Sequence, residues 1–217
     1  TPFEMVEFKF HIKMPIFIAR QHLRHRTASV NELSARYSVV PDEFYQPDIY
    51  RSQSQLNKQS SEGMANLDPQ LVSQPHDCCK AAFTVYENLI DAGCCREQAR
   101  CHLPQSTYTE FYWKINLHNL MHYLELRMDA GAQEEIRDYA TAIYDLVKDK
   151  VPFVMKAFMD FRINAVRLTG PEVEILKNFG QQMSMDSGSK FLKSPGEDRE
   201  FKEKLKKLKF VSEISSV

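Results

Sequence analysis

Arg24, His25, Arg26, Asn31, Glu32, Ser34 and Arg36 all fall within the single stretch RHRTASVNELSAR. Guanidinium groups stay charged, and their forked donors match phosphate and carboxylate oxygens two at a time. Arg24, Arg26 and Arg36 therefore make a local oxyanion site. Ser29 and Ser34 add neutral donors, Glu32 can accept from a sugar or a ring N–H, and Asn31 can do both. The bland alternative is a solvated loop with local ion pairs. Exposed pairs contribute only about 0–1 kcal/mol, which gives a loop little reason to concentrate so many different donors. Ser34 is read as a phosphate ligand and not a nucleophile, because no base with its own orienting group accompanies it.

Two further stretches carry the same kind of chemistry. In REQAR, Glu97, Arg96 and Arg100 lie three and four residues apart, so one helix face presents all three; an intrahelical salt bridge is the alternative. In NLHNLMHYLELR, Asn116 and Arg127 are separated by close to three helical turns at about 3.6 residues each, with Asn119 and Tyr123 near the same line. His118, His122 and Glu125 are expected on the opposite side. A helix with two polar faces suits a position between two ligands or two subunits. His118 and His122 have a metal-like spacing, but no glutamate follows the first histidine as H-E-x-x-H requires, so hydrogen bonding at a cofactor is favoured over a metal.

These residues need elements to hold them. MVEFKFHIK alternates, with Val6, Phe8, Phe10 and Ile12 on one face, and predicts a half-buried antiparallel strand. IFIARQHL after Pro15 predicts a helix that leads into the arginine stretch. Residues 46–74 are polar without a sustained period and predict a surface loop. A helix is expected from Pro75, with Ala82, Val85, Tyr86, Leu89 and Ile90 buried and Gly93 as its stop. REQARCHL predicts a short helix, STYTEFYWKI a strand, and Asn116–Met128 and Ala132–Lys148 two helices. PFVMKAFMDFRINAVRL predicts a last one. In the tail, Phe201, Leu205 and Leu208 have the spacing of an amphipathic helix, read as a solvated peripheral element. The fold class is α+β, an antiparallel sheet flanked by long helices and helix-dominated. The expected division is a catalytic domain at 1–169 and a tail at 170–217.

At 217 residues and 43% hydrophobic, the chain can bury a core. Its formal charge of -1 removes the global field that would draw it to nucleic acid or an anionic membrane. No apolar run reaches the roughly 20 residues a spanning helix needs. The five cysteines lack C-x-x-C spacing, which favours reduced thiols in a cytoplasmic setting and no metal. The chain begins at Thr1 and enters a strand pattern at once, so a trimmed N-terminus is expected.

RHRTASVNELS followed by RY resembles the RHR, seven residues, Ser pattern of the flavin-dependent thymidylate synthases, the ThyX family. TPFEMVEFKFHIKMPIFIARQ, REQARCHLP and NLHNLMHYLELR extend the resemblance in the family's order, over most of residues 1 to about 165. The resemblance implies a homotetramer with active sites shared between chains, binding FAD, dUMP, methylenetetrahydrofolate and NADPH. The implied reaction is reductive methylation: NADPH reduces the flavin, a one-carbon unit passes from folate to the uracil ring, and a flavin hydride completes the methyl group, giving dTMP and tetrahydrofolate.

By the same resemblance, Arg24, His25 and Arg26 hold the flavin nucleotide, with Glu32 and Asn116 as further contacts and Thr1 at the edge. Ser34, Arg36, Glu97 and Arg100 bind dUMP. Arg127 contacts the uracil and favours its enolate-like form. Gln21 lies by the folate or flavin ring. His118 and His122 stand where many members have arginine and asparagine, so their flavin contact is a departure with a pH range of its own. Members of the family also carry several dozen residues before the position of Thr1. The function alternative from another class is a single-stranded nucleic-acid module using Arg24, Arg26, Tyr37, Phe44 and Tyr45, against which the near-zero charge argues.

Overall fold

A computed structural model describes residues 2–55, 60–179 and 195–207. Thr1 and Leu208, both expected to contribute above, lie outside these residues. The chain divides into two compact units, Thr1–Pro152 and Phe153–Val217.

The first unit is built on a three-stranded antiparallel sheet in the order β1-β5-β2. Strand β1 (Glu7–Pro15) pairs with β5 (Tyr108–Asn116) along its whole length, from Glu7 opposite Asn116 to Pro15 opposite Tyr108. Alternation then decides the faces: Ile12, Met14, Phe111, Trp113 and Ile115 are buried, while Lys9, His11, Tyr112 and Lys114 face outward. Strand β2 (Ser29–Glu32) pairs the other edge of β5, with Val30 opposite Trp113. The polar arginine stretch therefore contains a strand. Its backbone groups on one side pair with β5 while its side chains stay exposed at the sheet edge.

Helix α1 (Ile16–His22) starts directly after Pro15, whose extended backbone serves as its N-cap, and buries Ile18, Ala19 and His22. Beyond the sheet, α4 (Leu117–Arg127) continues from β5; the Asn116 side chain accepts from the Asn119 N–H at 2.9 Å and caps it. It buries Leu117, Leu120, Tyr123 and Leu124 against α5 (Glu134–Lys148), which contributes Ile136, Ala140, Ile143 and Val147. The helix-dominated α+β expectation thus holds.

The expected loop at 46–74 and the helix start at Pro75 need correcting. A two-stranded hairpin, β3 (Arg51–Gln53) with β4 (Ser61–Met64), occupies part of that region, and α2 runs Pro69–Asp91. Asp68 caps α2 by accepting from the Gln70 N–H at 2.8 Å, and Pro69 stands at the first helical position. Pro75 lies inside the helix. The hairpin is held to α5 by Arg51, which donates to Glu134 at 2.8 Å and to Glu135 at 2.7 Å.

On α2, Phe83 and Tyr86 are the buried residues, whereas Val85 is exposed, so the apolar stripe is rotated from the expected one. Together with Ala99 they form a cluster that also takes in Val40, Phe44, Leu89, Ile90, Cys94 and Leu103. This cluster anchors α3 (Arg96–Ala99), its 3-10 continuation Arg100–His102, and the segment after β2, where the Val40 N–H donates to the Tyr86 hydroxyl at 3.0 Å. Phe83→Ala should cost about 3–5 kcal/mol. Urea unfolding would check it, and a loss below about 1 kcal/mol would contradict the packing.

In the second unit, α6 (Pro152–Phe158) passes into a π-helical turn, Met159–Ile163, and stops. The single helix expected through Leu168 is thus shorter. Thr169 opens α7 (Gly170–Phe179) with a capping box, its N–H donating to the Glu172 carboxylate at 2.6 Å, so the chain must leave helical geometry before it. α8 (Pro195–Lys207) buries Phe201 and Leu205 against Ile175, and Lys204 donates to Glu172 at 2.8 Å. No helix among the described residues is long and apolar enough to cross a membrane.

Candidate active site

The motif residues gather into two groups within the first unit. In the first, the C-terminus of α1 and the end of α4 meet. The last residue of α4, Arg127, donates through Nε to His25 Nε2 at 2.9 Å and through Nη2 to the Gln21 carbonyl at 3.0 Å. The Gln21 side-chain amide donates to Gln133, just ahead of α5. The His25 ring meets Tyr123 in a T-shape at 4.9 Å, and Tyr123 in turn reaches His22 Nδ1 at 2.9 Å. The three expected residues Gln21, His25 and Arg127 are thus brought together, though far apart in sequence.

Two histidines here are held neutral. Burial, then the neighbouring His25 and Arg127, pushes His22 down to about 3; burial, then Arg127 and His122, pushes His25 down to about 4. Only a neutral His25 can accept the Arg127 proton. Both folded values lie below the ordinary 6.5. Their stabilising contribution is therefore complete above about pH 6.5 and is lost as pH falls towards 4 and then 3. The urea midpoint should be lower at pH 5 than at pH 7, and equal midpoints would contradict this.

The second group surrounds a cavity of about 490 Å³ whose lining includes Glu32, Ser34, Arg100, Cys101, Thr107 and Thr109. Strand β2 delivers Glu32, where the Thr109 hydroxyl donates to its carboxylate at 2.6 Å. Ser34 begins a tight turn: its carbonyl accepts from the Tyr37 and Ser38 N–H groups, and its hydroxyl accepts from the Arg36 N–H at 3.3 Å. Arg36 donates to Glu97 at 2.9 Å, tying that turn to α3, and Arg96 adds a bond to the Tyr37 carbonyl at 3.0 Å. The intrahelical pairing weighed for REQAR is therefore replaced by bonds to the motif turn. Arg36 is not itself among the lining residues, but a cavity edged by the Arg100 guanidinium, a serine hydroxyl and a carboxylate can bind a phosphate while a polar acceptor meets a sugar or ring.

The remaining expected residues are more dispersed. Arg24 and Arg26 are exposed, and neither forms an ion pair among the described residues. Asn116 is engaged at the head of α4, accepting from both the backbone and side-chain nitrogens of Asn119 at 2.9 Å. His118 and His122 stack edge-to-face at 5.6 Å. Among the described residues, no three His, Cys, Asp or Glu side chains are grouped to hold a metal.

Sequence reasoning missed His22, Thr107 and Thr109. His22 is fully buried within a helix, and no spacing rule distinguishes it from the half-buried His25. Thr109 lies on β5 and Thr107 just ahead of it, bridged to Phe44, and their approach to the Ser34 turn is visible only in three dimensions.

Comparison with known proteins bears on the whole arrangement. The profile of the thymidylate synthase complementing protein family matches residues 1–153. A flavin-dependent thymidylate synthase of Thermus thermophilus is 49% identical over 82% of this chain and 65% of its own length. One from Dictyostelium discoideum is 50% identical over 82% of this chain and 59% of its own. The chain thus spans about 65% and 59% of these two relatives' lengths. Among solved structures, a UMP/dUMP methylase, PolB, from Streptomyces cacaoi bound with 5-bromo-dUMP superposes with a TM-score of 0.68 at 34% identity, covering 75% of this chain and 74% of that one. With the ordered motifs, the two residue groups and the profile in agreement, the chain belongs to the thymidylate synthase complementing protein family, that of the flavin-dependent thymidylate synthases.

Proposed function

We propose that the protein converts dUMP to dTMP by reductive methylation, using FAD, methylenetetrahydrofolate as carbon donor and NADPH as reductant. The observation that carries this reading is the convergence of Glu32 and Ser34 from one motif with Arg100 from another on one cavity, tied together by the Arg36–Glu97 bond. Ser34, Arg36 and Arg100 take the dUMP phosphate, and Glu97 orients Arg36 and contacts the nucleotide.

The donors present fit a flavin nucleotide. Arg24 and Arg26 offer charged forks with no ion pair of their own among the described residues, which suits a diphosphate. His25, Glu32 and Asn116 supply further neutral and acidic flavin contacts, with His118 and His122 on α4. Bound FAD supplies the hydride-carrying chemistry. Arg127, held by His25 and the Gln21 carbonyl, keeps a guanidinium nitrogen for the uracil carbonyl and stabilises negative charge as it develops on the ring. Gln21 lines the folate or flavin side.

The assembly is a homotetramer with active sites shared between chains. Residues 1–169 carry the catalysis and 170–217 are appended. The five cysteines, all free, suit a cytoplasmic location. Purified protein given dUMP should form dTMP only when NADPH and methylenetetrahydrofolate are both present. Bound FAD with no dTMP under those conditions would contradict the reaction.

A further inference from the structure

The element left unused by this reading is a pair of buried polar side chains beneath the Arg127 group. His22 and Tyr123 have no exposed surface. His22 sits among Phe111, Trp113 and Tyr123, with ring centroids at 5.5, 4.3 and 4.8 Å. Volume alone would be filled as well by an apolar aromatic, without the penalty of burying an imidazole whose Nε2 has no hydrogen-bond partner among the described residues. Polar groups in so dry a setting impose direction, because a single bond then decides the orientation of both rings.

We propose that His22 and Tyr123 act as one positioning unit for Arg127, with the Tyr123 hydroxyl donating to His22 Nδ1 and His22 carrying its proton on Nε2; this rests on the reading of Arg127 given above. The proton assignment follows from counting. If His22 donated from Nδ1 instead, the buried phenol proton and the Nε2 lone pair would both lack partners. With the phenol donating, only the Nε2–H remains unpaired on a ring that packs on Trp113 at 4.3 Å between centroids and an interplanar angle of 62°.

The consequences reach the guanidinium by contact. A fixed Tyr123 ring meets His25 at 4.9 Å and an interplanar angle of 78°, limiting its rotation. His25 then presents Nε2 to Arg127 Nε, and Arg127 Nη2 returns to the carbonyl of Gln21, the residue next to His22. The chain of contacts is closed: His22, Tyr123, His25, Arg127, Gln21 and back to His22 through one peptide bond. Among the described residues, Arg127 Nη1 is left without a protein acceptor, so the pair acts on the direction in which that nitrogen points.

The test uses His22→Phe, Tyr123→Phe and the double variant in the full chain. Each single change should lower kcat by about tenfold or more, with the half-saturating dUMP concentration and FAD binding altered by less than about threefold. The double variant should be no worse than the poorer single, since both remove the same bond. Singles within about twofold of the unaltered kcat, or losses that multiply in the double, would overturn the proposal. A merely structural role would lower stability without this split between turnover and binding. Where a variant fails to fold, 15N-histidine spectra of the unaltered protein decide: a neutral His22 protonated at Nε2 supports the unit, and the other tautomer or a charged ring overturns it. Should the unaltered protein form no dTMP, the reaction reading falls, while the spectra still settle the His22–Tyr123 arrangement.

Discussion

Arg127→Ala is expected to lower kcat by about 10²–10³-fold or more, the scale on which loss of a preorganised donor to a developing oxyanion is felt. The side chain ends α4 at the point where α1 and the RHR motif converge, and two of its nitrogens are already occupied by His25 and the Gln21 carbonyl. It is therefore oriented before any ligand arrives, which is the condition under which a charged donor stabilises a transition state without reorganising. The substitution leaves Arg24, Arg26 and the cap at Asn116 in place, so FAD should remain bound. Steady-state kinetics with the flavin spectrum recorded on the same sample checks both halves. Near-normal kcat would remove Arg127 from the mechanism, and loss of flavin would make it a cofactor ligand instead.

Arg36→Ala should weaken dUMP by about 10–100-fold, the equivalent of losing a charge-assisted hydrogen bond of about 1.5–3 kcal/mol. Both members of the Arg36–Glu97 pair are about half exposed, at 53% and 51%, so the pair itself adds little stability. What the substitution removes is the proposed phosphate ligand and the strut between the Ser34 turn and α3. Arg100→Ala, at a residue that lines the cavity, should act in the same direction. Equilibrium dialysis with dUMP measures both. Unchanged affinity in either variant would contradict the phosphate assignment.

Much of this arrangement was legible in the sequence because its signals are local. The alternation of β1 and β5, the three-turn spacing from Asn116 to Arg127 and the density of arginines around Ser34 each follow from backbone period or side-chain chemistry. The expectations that failed depended on partners far along the chain. Ser29–Glu32 is a strand because β5 offers an edge, and nothing in its own polar composition says so. Asp68 and Pro69 did carry a helix-start signal, but Pro75 masked it, being read as a beginning when the helix accommodates it internally. Of the periodic stripe Ala82, Val85, Tyr86, Leu89 and Ile90, the packing keeps Tyr86, Leu89 and Ile90 and takes Phe83 in place of Val85, the larger aromatic giving more buried area. The positions of Gln21, His25 and Arg127 were each anticipated, yet the hydrogen bonds that join them span more than a hundred residues and required the fold. The nucleic-acid alternative finds no support beside the family membership.

The central claim is that the RHR motif and its partner helices grip a flavin nucleotide next to a pyrimidine nucleotide. The most direct measurement is the visible absorbance of the purified, dialysed protein after incubation with FAD, followed by titration with dUMP. The account predicts a retained flavin band whose shape changes on adding dUMP. A colourless protein that takes up no FAD would contradict it.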